Sequence, residues 1–126
     1  MFVKLKDVFK HYRLSYVIDA KEKSLTITQK GSGFLEYELS DDDLQGIITS
    51  KEKGIIDALV NACRIQILSD LDFIHTNVYD ASLTEDIRDV SGYSILCFQI
   101  YNQLLKCQAY NILDNLEKII SYEELD

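Results

Sequence analysis

The sequence predicts an α+β fold, a three-stranded antiparallel β-meander packed against several helices, the last of them long. Three observations lead there. Short β-branched and aromatic runs alternate with polar or glycine turns over residues 14–39; apolar residues recur at helical spacing on either side; and spacings of three and four run unbroken from residue 94 to 121. At 126 residues the chain can bury one core but not two. It is therefore read as one domain over 1–126, helix plus meander in 1–39 and mainly helical in 40–126.

Phe2, Leu5, Phe9 and Tyr12 recur every three or four positions with charges between them, which predicts an amphipathic helix. After Leu14 the period falls to two. Residues 15–19, 24–29 and 34–39 read as strands, separated by turns at 20–23 and 30–33. Leu25 and Ile27 alternate with Thr26 and Thr28, and Leu35, Tyr37 and Leu39 alternate with Glu36 and Glu38, so one face should be buried and the other wet.

Ser40 followed by Asp41, Asp42 and Asp43 predicts a helix start, with Ser40 as N-cap and carboxylates at the positive end of the helix dipole. Leu44, Ile47 and Ile48 give this helix its apolar side, and Lys53-Gly54 is expected to interrupt it. Ile56, Leu59, Val60, Cys63 and Ile67 then resume a helical stripe, giving one broken helix or two. Residues 73–79 fit a strand or an irregular connection. Ser82 and Glu85 match a capping box, expected to open a short helix ending near Ser91-Gly92. In the long last helix Phe98, Tyr101, Leu105, Ala109, Ile112, Leu116 and Ile119 form the stripe, and Ile95, Leu96, Cys97, Ile100 and Leu104 are apolar beside it. A helix hydrophobic most of the way round needs cover on several sides, either at the centre of the fold or against a second subunit. Phe98, Tyr101, Leu105 and Ile112 are the candidate homodimer interface.

Charge narrows the function classes. A net charge of −8 and a pI near 4.7 repel phosphates, which argues against direct nucleic-acid binding and toward a basic protein partner, unless acidity serves solubility alone. Glu36, Glu38, Asp41, Asp42, Tyr122, Glu123 and Glu124 are the candidate partner-binding residues, tyrosines flanked by carboxylates being suited to meet Lys or Arg. The least charged run, 90–105, is broken by polar residues, so no membrane span is expected; charges among the first residues argue against a secretory leader, and a cytoplasmic location is expected.

Cys63, Cys97 and Cys107 lie in helix-like apolar contexts and read as buried thiols. His11 and His75 have no second ligand at metal spacing, and His75 with Asp70, Asp72 and Asp80 reads as a polar loop before it reads as a hydrolytic site. Gly31-Ser32-Gly33 lacks the lysine of a phosphate loop, and Asp41 to Asp43 lack the ligand spacing of a calcium loop. No catalytic residue, metal or cofactor is expected. The expected function is a non-catalytic acidic protein that binds and inhibits or neutralises a basic or nucleic-acid-handling protein, in type like immunity proteins, antitoxins or phage anti-defence proteins. The alternative is a homo-oligomeric structural or regulatory module with a small-ligand pocket at a helix interface.

Overall fold

In the computed structural model of the chain, the backbone is described for residues 4–124 and the side chains for residues 4–113. The order is α1 (Leu5–Tyr12), β1 (Leu14–Asp19), β2 (Ser24–Gln29), β3 (Ser32–Glu38), α2 (Asp41–Thr49), α3 (Lys51–Asn77), a 3-10 turn (Ala81–Leu83) and α4 (Thr84–Glu124). The expected α+β class holds. Phe2, expected in the first helix, lies outside the described residues; α1 buries Leu5 and Val8 and ends at Arg13, whose left-handed φ of 56° swings the chain directly into β1.

The strands form one antiparallel sheet in the order β1-β2-β3. Asp19 pairs with Ser24 across the first turn, where the Asp19 carboxylate accepts from the backbone N–H groups of Lys21 and Glu22, both at 3.1 Å. The second turn is tighter than expected. Gln29 pairs with Ser32, leaving Lys30 and Gly31 at φ 53° and 82°, the two positive angles of a hairpin turn that matches strand twist. Gly33 belongs to the strand, and a bulge beside it shifts the register so that Thr28 faces Gly33 and Ile27 faces Leu35. Leu25, Ile27, Leu35 and Leu39 are buried while Glu36 and Glu38 are exposed, as the alternation requires.

Ser40 caps α2 as expected, and the cap is a full box: the Ser40 hydroxyl accepts from Asp43 N–H and the Asp43 carboxylate accepts from Ser40 N–H, each at 3.0 Å. The break after α2 falls at Ser50, in extended backbone, and not at Lys53-Gly54. Gly54 is instead the point where α3 crosses α2. A Cβ there would lie 2.4 Å from Ile47 N and 2.5 Å from Gly46 C, so only glycine permits the approach.

Two further expectations are overturned by helix continuity. Residues 73–77 are neither strand nor loop, because α3 runs 27 residues to Asn77. The helix expected to stop at Gly92 continues through it, so α4 is 41 residues long, about 60 Å at 1.5 Å per residue. Nothing lies within 4 Å of a Cβ built at Gly92, and the single glycine costs too little to break a helix anchored on both sides. The Ser82/Glu85 capping box does not form; the Asp80 carboxylate accepts from Ser82 N–H at 3.0 Å and caps the 3-10 turn.

α3 and α4 form an antiparallel hairpin, and its proximal half is covered by the sheet and α1. The buried residues make one cluster: Leu5 and Val8 of α1, the inward sheet residues, Ile55, Ile56, Leu59 and Cys63 of α3, and Cys97, Ile100, Leu104 and Cys107 of α4. Each fully buried Leu or Ile contributes about 1.5–3 kcal/mol. The face of α4 turned to the core is therefore the one that lies off the stripe of Phe98, Leu105 and Ile112.

Candidate functional site

The acids at the end of β3 are partly neutralised where they stand. Lys23 donates to Asp41 at 2.7 Å, which holds the Asp41 carboxyl below its usual range, and Lys23 also borders the shallow depression that Glu36 and Glu38 line. Tyr37 turns inward between them and donates to the Asp43 carboxylate at 3.1 Å; burial, then this bond, raises its pKa. Glu36, Glu38, Asp41 and Asp42 are thus brought to one end of the sheet, with Lys23 among them. The side chains of Tyr122, Glu123 and Glu124 lie outside the described residues.

The four candidate interface residues divide. Phe98, Leu105 and Ile112 are 53%, 36% and 52% exposed, spaced seven residues apart along one side of α4, and Tyr101 is half-buried with its ring 6.5 Å from that of Phe98. Gln108 Nε2 donates to the Asp57 carboxylate at 2.8 Å and ties this side of α4 to α3. By helical spacing the same side of α3 continues through Arg64, Leu68 and Leu71, of which both leucines are exposed. The outer side of the hairpin is therefore an apolar strip shared by two helices.

Toward the hairpin tip the charge is one-sided. From Asp72 to Asp89 the exposed acids are Asp72, Asp80, Glu85, Asp86 and Asp89 against Arg88, with Arg64 and Lys106 exposed beyond that stretch, and Tyr79 at the hairpin tip is 98% exposed. A count of charge by segment would have found this. The total charge conceals it, because Lys4, Lys6, Lys10 and Arg13 against Asp7 make the α1 segment basic.

Family models, curated proteins and solved structures offer no match.

Buried polar groups collect inside the hairpin, under the sheet edge. Cys97 Sγ donates to the Cys63 carbonyl at 3.8 Å, and Cys63, hydrogen-bonded to Cys97 and buried, has its thiol pKa raised. Tyr93 donates to the Phe34 carbonyl beside the bulge, with the two rings 5.1 Å apart, and burial raises the phenol's pKa. Asp70 is 7% exposed; one carboxylate oxygen accepts from Gln66 at 2.8 Å and the other is buried with no hydrogen-bond partner among the described residues. The helix turns Asp70 into the core and His75 outward, so the two do not converge. Among the described residues no group of three metal-ligating side chains forms, and no helix is long and apolar enough to cross a membrane.

Proposed function

We propose that the protein is a non-catalytic acidic binding protein that docks a basic protein partner on the distal half of the α3–α4 hairpin. The observation that carries this reading is the pairing of exposed Leu68, Leu71, Tyr79 and Phe98 with the exposed acids from Asp72 to Asp89, a stretch in which Arg88 is the one opposing Lys or Arg. Apolar and aromatic anchors supply contact energy, and the surrounding carboxylates steer a cationic surface and reject an acidic one. Inhibition or neutralisation results if the docked surface is one the partner uses on nucleic acid.

The test is capture from a source lysate by the wild-type protein and by the triple variant Asp72→Lys, Glu85→Lys, Asp89→Lys. A stoichiometric basic partner, released by salt and lost with the variant, supports the reading. A partner captured equally by the variant, or one that is itself acidic, refutes it.

Exposed Phe98, Leu105 and Ile112 favour a second reading, a homodimer through α4. Light scattering decides between them: the dimer reading requires mass to double with concentration and Phe98→Asp to return the protein to a folded monomer.

A further inference from the structure

The basic end of the molecule surrounds a cleft that partner docking at the hairpin leaves without a role. The start of α1, the first turns of α3 and the stretch of α4 at Tyr110 enclose about 680 Å³, a volume suited to a small organic molecule. Buried Leu5 and Ile55 form its floor. Phe9 and Tyr16, in edge-to-face contact with centroids 5.5 Å apart, form an aromatic wall, and Tyr110 faces it from α4.

The rim is cationic. Lys4, Lys6 and Lys51 are exposed around the opening, and among the described residues Glu52 is the acid that lines it. Among the described residues the ion pairs are Lys23–Asp41 and Lys53–Asp57, and neither involves Lys4, Lys6 or Lys51. α1 and α3 both begin beside the cleft without a side-chain cap, and their positive ends add to the same field. A protein of net charge −8 thus keeps three cations around an apolar hollow. An uncharged ligand would leave the rim unused, and a small inorganic anion would leave the floor and aromatic wall wet.

We propose that this cleft binds an amphiphilic organic anion, an aliphatic or aromatic body seated on Leu5, Ile55 and Phe9 with a carboxylate or phosphate head held by the lysines. The proposal stands apart from partner docking, since the cleft shares no residue with the distal hairpin. Titration calorimetry on the full chain, with dodecanoate below its micellar concentration, is the direct test. One molecule should bind per chain, and dodecanol should bind at least tenfold more weakly. The exposed pair Lys6→Glu with Lys51→Glu should weaken dodecanoate by about tenfold while leaving the circular dichroism unchanged, the scale expected for reversing two solvent-screened charges. The variant Asp72→Lys, Glu85→Lys, Asp89→Lys should bind dodecanoate as wild type does, so failure of one proposal is not failure of the other. Equal affinity for dodecanol, no loss in the lysine variant, binding of inorganic phosphate as tight as that of dodecanoate, or binding only to phosphatidylglycerol vesicles would each overturn it.

Discussion

Gly54 and Gly92 are both glycines inside helices, yet their surroundings give substitution opposite signs. A methyl at Gly54 meets backbone atoms of α2 at 2.4–2.5 Å, which cannot rotate away, so Gly54→Ala should destabilise by about 1–3 kcal/mol as α2 is pushed off α3. Gly92→Ala meets open space and should stabilise by about 0.5–1 kcal/mol through helix propensity alone. Urea midpoints of the two variants, read by circular dichroism, check both signs. Tyr93 offers a residue-level pH test. Its raised pKa, like that of Tyr37, means the folded state holds the phenol proton more tightly than the unfolded chain does. That contribution is complete below about pH 10 and is lost as pH rises toward the higher folded values. Tyr93→Phe should cost about 1 kcal/mol at neutral pH, from the lost bond to the Phe34 carbonyl, and flatten part of the alkaline loss.

At the scale of elements, α4 carries two apolar faces and only one is spent on the core. Leu104→Ala should cost about 2–5 kcal/mol, since Leu104 is buried among the core residues. Phe98→Ala should change the stability of the monomer by less than about 1 kcal/mol, because half the ring is already in water. Thermal unfolding of the pair distinguishes a core face from a docking face. The strands, the Ser40 cap and the Ile56, Leu59, Cys63 stripe were legible in the sequence because alternation, capping chemistry and helical spacing are local. The core face of α4 was not. Phe98, Leu105 and Ile112 form a stripe as regular as that of Cys97, Ile100, Leu104 and Cys107, and periodicity alone does not say which of two stripes meets a partner within the chain. Gly54 read as a breaker for a related reason: its cause is α2, which spacing along one helix cannot reveal.

At the scale of the whole molecule, the net charge of −8 is a sum of unlike regions, a cationic α1 end and an anionic hairpin end. Like charges crowd the distal hairpin, so raising ionic strength from about 0.02 M to about 0.5 M should raise the melting temperature by screening that repulsion. The increase should shrink in the variant Asp72→Lys, Glu85→Lys, Asp89→Lys. Glu36, Glu38, Asp41 and Asp42 stood out as candidates because carboxylates beside strands and caps are conspicuous in sequence. The hairpin surface proposed as the docking face did not stand out, because its residues lie on two helices that only the turn near Asp80 brings together.

The return of α4 to the sheet and α1 has a consequence for synthesis. Leu5 and Val8 leave the ribosome before the rest of their cluster, which is completed only by Ile100, Leu104 and Cys107, far later in translation. Until then α1, the meander and α3 lack the α4 side of their shared cluster, and the apolar faces that meet it stay open to solvent. A nascent chain arrested before Cys97 should therefore be a client for chaperones and proteases, and release of the segment through Cys107 should be the event that ends its vulnerability.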